Sequence, residues 1–261
     1  AGIVVTTIGK GRDIVLIPGL GSAASVYDAI VPELAKKNRV HMVQLKGYAG
    51  LKLAEEKGSI FENAQNSITN FIKTKKLKKP ALIGHSMGGL LTQKLIEMGL
   101  GCAGVFVTPS PPKGCDVKSL VVLLTHLNIA LQNDPTKSYK VWDFGAKWGV
   151  LNKVPENEKD ARNAEFIYDS GRALNDLVNF DQDEFKIGTI DESKINVPTL
   201  TIGATCDRGT LVKTHRKTAA KYARVGGDYI EYPDAGHMII YEKDAPQLAK
   251  DIIDWIGQKI K

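Results

Sequence analysis

Apolar residues follow two rhythms along this chain, and their alternation predicts its architecture. Nearly unbroken apolar runs stand at residues 14–17, 40–45, 81–83, 104–108 and 197–203, with further strand-like stretches at 3–8 and 228–232. Such runs mark strands buried on both faces. Between them, apolar residues recur three and four positions apart. Phe61, Ala64, Ile68, Phe71 and Ile72 form one such helical stripe; Leu90, Leu91, Leu95 and Ile96 form another. Helices are also expected over 26–37 (with Pro32 as an irregularity), 211–222 and 245–260. Ser59 reads as the N-cap of the helix that carries the Phe61 stripe, and Glu62 completes a capping box. Strands alternating with helices predict an α/β fold, a mostly parallel central sheet with helices on both faces.

The rhythm breaks at Pro109-Ser110-Pro111-Pro112. Beyond it, no clear buried strand follows until residue 190, and helical spacing covers 118–131, 136–147 and 158–178. This predicts residues 1–110 and 191–261 as one core, with residues 111–190 inserted as a helical cap. A chain of 261 residues with 43% hydrophobic content suits that division.

Charge and cysteine usage narrow the partners. Net charge is +6, and much of the excess lies in Lys73-Thr74-Lys75-Lys76-Leu77-Lys78-Lys79. Lysines at a helix C-terminus favour its dipole, and no aromatic residues interleave with these. The run therefore reads as a solvated helix end, and no nucleic-acid partner is expected. The longest apolar run, 120–131, is interrupted by Thr125, His126 and Asn128, so no stable membrane insertion is expected. Cys102, Cys115 and Cys206 show no zinc spacing, and no histidine pair sits at ligand spacing, so neither metal nor cofactor is expected. Cys102 and Cys115 can pair only in an oxidising compartment. Residue 1 is Ala. If it follows signal removal the chain is periplasmic or secreted; otherwise it is cytoplasmic, and the sequence leaves both open. A monomer or a small homo-oligomer is expected.

The chemistry centres on Ala81-Leu82-Ile83-Gly84-His85-Ser86-Met87-Gly88-Gly89. An apolar strand runs into Gly-x-Ser-x-Gly and then into a helix, which puts Ser86 on a sharp turn. The strained turn requires minimal side chains two positions either side and lifts the hydroxyl off the sheet edge. A serine hydroxyl needs a base, and the base needs an orienting acid. Of the five histidines, His237 fits best, because it follows the last strand in the loop Pro233-Asp234-Ala235-Gly236-His237. His85 is adjacent to the serine and points apart from it. His126 lies in the expected insertion and can face a pocket; His41 reads as a strand residue and His215 as a helix surface residue. Asp207 follows the 197–203 strand and stands between serine and base in chain order, so it is the expected acid. Asp228 precedes its strand and lies at the wrong sheet end. Asp234 belongs to a turn. The backbone amides of Met87 and Leu20 are the expected oxyanion donors, the latter from the loop Ile17-Pro18-Gly19-Leu20-Gly21-Ser22.

In these features the chain resembles the α/β-hydrolase fold superfamily, in particular serine esterases and lipases with a helical cap. The elbow at 84–88, the acid at 207 and the base at 237 stand in that family's order. One departure is Pro18, where many members carry a histidine before the glycine. The resemblance implies hydrolysis of small to medium carboxylic esters through an acyl-enzyme, with Ser86, His237 and Asp207 as the triad. The small-molecule ester would sit under an apolar cap built from Leu120, Val121, Leu123, Leu124, Leu127 and Leu131, followed by Tyr139, Trp142, Phe144 and Trp148. The same motifs also serve cofactor-free lyases, carbon–carbon bond hydrolases, perhydrolases and non-hydrolytic ligand receptors.

Overall fold

The computed structural model describes residues 3–45, 60–131, 137–170 and 188–260. In chain order the strands are β1 (Ile3–Gly9), β2 (Arg12–Ile17), β3 (Asn38–Leu45), β4 (Ala81–His85), β5 (Ala103–Val107), β6 (Ser138–Tyr139), β7 (Asp169–Ser170), β8 (Thr199–Ala204) and β9 (Asp228–Tyr232). All but β6 and β7 form one seven-stranded sheet in the order β1-β3-β2-β4-β5-β8-β9. Only β1 runs antiparallel to its neighbour; the β3-β2, β2-β4, β4-β5, β5-β8 and β8-β9 pairs are parallel. The helices are α1 (Val31–Leu34), α2 (Ile60–Thr74), α3 (Met87–Glu97), α4 (Leu120–Thr125), α5 (Leu127–Ala130), α6 (Lys159–Glu165), α7 (Val212–Ala223) and α8 (Ala245–Lys259).

The strands are apolar at consecutive positions because each feeds two cores. Side chains alternate across a strand. Ile14 and Leu16 of β2, Ile83 of β4 and Val105 of β5 pack with α1 and α8 residues such as Leu34, Leu248 and Ile252. Val15 and Ile17 of β2, Leu82 of β4 and Phe106 of β5 pack on the opposite face with Ile68 of α2, Leu91 and Leu95 of α3, and Tyr222 of α7. Each fully buried side chain of this size contributes about 2 kcal/mol relative to exposure, so the central strands are the stable frame on which the connecting loops stand.

Several expected helices differ. Residues 26–37 form a 3-10 turn (Ala24–Tyr27) and then the four-residue α1, with Pro32 in its first turn. The 118–131 stretch breaks at His126 into α4 and α5. The 136–147 stretch is not one helix: it opens with β6, pairs with the distant β7, and then enters a π-helical turn, Gly145–Val150. Of the 158–178 stretch, 159–165 is helical and 169–170 is β7; residues 171–178, like Ser59, lie outside the described residues. All three cysteines are free thiols, so Cys102 and Cys115 are not joined.

The α4 leucines also depart from expectation. Leu120, Leu123 and Leu124 are exposed, as are Leu131 and Phe144, whereas Thr125 is buried. The cause is a close approach between α4 and the π-helical turn. A Cβ on Gly145 would lie 2.0 Å from Thr125 O, and one on Gly149 would lie 2.3 Å from Thr125 Cγ2. That contact admits only small residues, and Thr125 rather than a leucine fills it.

Candidate active site

β4 ends at His85 and α3 begins at Met87, so Ser86 alone makes the turn. Its backbone stands at φ 53°, ψ −120°, a region that side-chain-bearing residues avoid. Hydrogen bonds hold it there. Ser86 N–H donates to Val107 O at 3.0 Å, and Ser86 O accepts from Gly89 N–H and Ser110 N–H, both at 2.9 Å. The two flanking glycines are packing requirements. A Cβ on Gly84 would lie 2.1 Å from Gly88 O, and one on Gly88 would lie 2.1 Å from Ile17 O.

The loops after β8 and β9 bring two more residues to this turn. His237 Nε2 lies 3.1 Å from Ser86 Oγ, and His237 Nδ1 lies 2.8 Å from Asp207 Oδ2. Asp207 is a turn residue as well as the partner of His237. Its Oδ1 accepts Gly209 N–H at 2.7 Å and Thr210 N–H at 2.8 Å. Its Oδ2 is 3.1 Å from the Thr210 hydroxyl. Burial alone would raise the Asp207 pKa. The opposing effects of His237, His215 and the Thr210 N–H prevail and hold the carboxyl below its ordinary range, as an anion at neutral pH.

The rival acids lie elsewhere. Asp234 takes a positive φ of 61° and pairs with the ammonium groups of Lys153 and Lys243. Asp228, at the amino end of β9, accepts from Trp255 Nε1 at 2.7 Å and pairs with Lys259 at 2.8 Å.

The loop after β2 lies against the serine: a Cβ on Gly19 would stand 3.0 Å from Ser86 Cβ. Most of its backbone is already engaged. Ser22 N–H donates to Gly19 O at 3.3 Å, Gly21 N–H to Asp169 Oδ2 at 2.8 Å, and Gly21 O accepts Ile167 N–H at 3.0 Å. The stretch between β5 and β8 thus reaches the loop after β2 through Ile167 and Asp169. It touches the loop after β8 as well, where Thr125 Oγ1 donates to Arg208 O at 3.1 Å and an Arg208 guanidinium N–H donates to Trp148 O at 3.0 Å.

A family model described as the alpha/beta hydrolase family matches residues 14–250. The chain belongs to that family. Among curated relatives, it is 34% identical over 91 residues to a pimeloyl-[acyl-carrier protein] methyl ester esterase of Aeromonas hydrophila subsp. hydrophila, 35% of this chain and 34% of that protein. The match therefore spans about a third of that relative's length. Among solved structures, a monoacylglycerol lipase of Paleococcus ferrophilus superposes with a TM-score of 0.73 at 19% identity, over 98% of this chain and 99% of that one. An enol-lactonase of Burkholderia xenovorans LB400 does so with a TM-score of 0.72 at 18% identity, over 98% and 96%. At such identities the two structures speak for the fold alone.

The remaining histidines of this alpha/beta hydrolase family member are all buried or half-buried. His85 Nε2–H donates to the backbone carbonyl of His237 at 2.9 Å, and the Thr108 hydroxyl donates to the same oxygen at 3.0 Å. Burial, followed by the neighbouring His237, pushes the His85 pKa down to about 3, so its ring is neutral. His215 is not the surface residue its sequence context suggests. It is fully buried, Nδ1 accepts Ala204 N–H at 3.4 Å, and Nε2 lies 2.9 Å from Thr210 Oγ1 and 3.5 Å from Asp207 Oδ2. Burial lowers its pKa to about 4, with Asp207 opposing. His126 donates through Nδ1 to Val122 O at 3.1 Å, and burial lowers its pKa too. His41 is a buried β3 residue, 2.8 Å from Asp13 Oδ1.

Sequence reasoning missed Thr108, Thr210 and His215. One signal for His215 was available: His215, Thr218, Ala219 and Tyr222 repeat at helical spacing and form the buried face of α7. Among the described residues, no group of three or more His, Cys, Asp and Glu side chains is arranged to hold a metal ion.

Proposed function

We propose that this protein is a serine hydrolase of small to medium carboxylic esters. The observation that carries the proposal is the unbroken contact from Ser86 Oγ through His237 to Asp207, at 3.1 Å and 2.8 Å, beginning at a strained serine. His237 Nε2 takes the Ser86 proton as Oγ attacks the ester carbonyl carbon. The Met87 and Leu20 amide N–H groups receive the oxyanion, Met87 standing first in α3 where the helix dipole is positive. Neither amide donates to an acceptor among the described residues. Imidazolium then protonates the departing alcohol, leaving an acyl group on Ser86. Water, deprotonated by His237, releases the acid and restores Ser86. Asp207 orients the ring, and its ionised state stabilises the imidazolium.

Segment 111–190 is the proposed cap, which contacts the loops around the serine and encloses the acyl or alcohol portion. The relatives named as methyl ester esterases favour a small alcohol as leaving group. The test is hydrolysis of a chain-length series of nitrophenyl esters by wild type and Ser86→Ala. Activity that vanishes in the variant supports the proposal. A variant that hydrolyses as fast as wild type contradicts it, and inactivity of both would favour the lyase or receptor alternatives.

A further inference from the structure

Behind the His237 loop lies a buried carboxyl that ester hydrolysis does not use. Glu242 is 4% exposed. Its Oε2 accepts Gly236 N–H at 2.7 Å. Its Oε1 is buried and has no donor among the described residues, and Asn152 Oδ1 shares that condition. The orientation of the Asn152 amide is fixed by its other end, where Nδ2 donates to Cys206 O at 2.8 Å. A carbonyl only accepts, so the amide nitrogen faces Cys206 and Oδ1 faces away. Both lone acceptors face the Gly236 backbone: a Cβ on Gly236 would lie 2.7 Å from Glu242 Oε1 and 2.8 Å from Asn152 Oδ1. Two buried acceptors that face one backbone position lack a donor, and leaving both unsatisfied carries a desolvation penalty. A carboxylic acid supplies one.

We infer that Glu242 is a protonated positioning residue: its acid O–H donates to Asn152 Oδ1 while its other oxygen holds Gly236 N–H. Through Asn152 the tie continues to Cys206. One proton thus joins the loop that carries His237, the loop that carries Asp207 and the segment between β5 and β8.

The surroundings favour the neutral acid. Burial pushes the Glu242 pKa up to about 7, and the Asp207 anion adds to the rise; the Gly236 and Met238 N–H groups and His237 oppose it. The adjacent Tyr241 is held neutral by burial. Lys153, whose Cβ stands near the Gly236 backbone, has its ammonium group on Asp234, as does Lys243. Ionisation would set a carboxylate against Asn152 Oδ1 and break the tie. The folded-state value lies above the unfolded one, so the stabilisation is complete below the unfolded value of 4.5 and is lost as pH rises through about 7.

Glu242→Gln tests this directly. The amide N–H donates to Asn152 Oδ1, the amide carbonyl accepts Gly236 N–H, and the side chain cannot ionise. Between about pH 5.5 and 8.5, wild-type Tm is expected to fall by about 5 °C more than that of the variant. An infrared difference spectrum, wild type minus Glu242→Gln, should show a carboxylic-acid carbonyl band near pH 6 that fades by about pH 8.5. The variant should match wild-type kcat/KM at the acidic end and exceed it at the alkaline end. Parallel Tm profiles, or a carboxylate signature already present near pH 6, would overturn the inference. Only the kinetic expectation rests on the esterase proposal; the thermal and infrared readouts need no turnover and so separate the two.

Discussion

The two ends of the central sheet treat polar groups in opposite ways. At the amino ends, charges pair nearer the surface: Arg39 meets Asp13, which also touches His41, through two bonds at 2.6 and 2.9 Å, and Lys259 meets Asp228. At the carboxyl ends of β4, β8 and β9, Asp207, His215, His237 and His85 are buried and joined through Thr210, Thr108 and backbone amides. Exposed pairs are screened by water and hold little energy, whereas a buried group without its partner is costly. The difference separates charges that solvent screens from charges that fix a geometry.

Substitutions at the two ends should diverge accordingly. The largest effect is expected at Asp207. Asp207→Asn removes the anion that sets the His237 tautomer, and kcat for ester hydrolysis should fall about 10,000-fold, by analogy with other serine hydrolases. Asp234→Asn, three residues from His237 in sequence but exposed and bound to lysines, should change kcat less than about twofold, since exposed pairs carry little energy. Comparable losses in both variants would erase the distinction between a buried partner and a turn charge. The smallest effect is expected at the amino end. Arg39→Ala should leave kcat/KM unchanged and move Tm by less than about 3 °C. The Asp13 carboxyl is held below its ordinary range chiefly by its hydrogen bond to Arg39. The associated stabilisation is therefore present above the unfolded carboxylate pKa and fades as pH falls, so the variant's deficit should shrink in acid. A large kinetic effect there would mean that the two ends are coupled.

Much of this contrast was legible in the sequence. The central strands stood out because both faces are buried, as Ile14–Ile17 and Ala81–Ile83 show by feeding two cores at once. The turn at Ser86 was legible because close backbone approach admits only glycine at 84 and 88. Segment 111–190 is less legible, for a physical reason: β6 is two residues long and finds its partner β7 about thirty positions later, a non-local pairing with no periodic signature. His215 reads as a surface residue because the helix face it shares with Thr214 and Thr218 is polar, yet that face is the buried one, turned toward Asp207 rather than toward water. Glu242 gave no sign either. In Tyr241-Glu242-Lys243-Asp244 it reads as one charge among several, and only the Asn152 and Gly236 contacts of the folded chain set it apart.

The proposed reaction requires Ser86 to be the nucleophile that His237 activates. Wild-type protein treated with a fluorophosphonate should gain one phosphonyl group, with fluoride leaving and the new P–O bond on Ser86 Oγ. Mass spectrometry of the digest would locate it. A single adduct on the Ser86 peptide is expected, with ester hydrolysis lost in proportion to labelling. An adduct on another residue, or full hydrolysis by fully labelled protein, would contradict it.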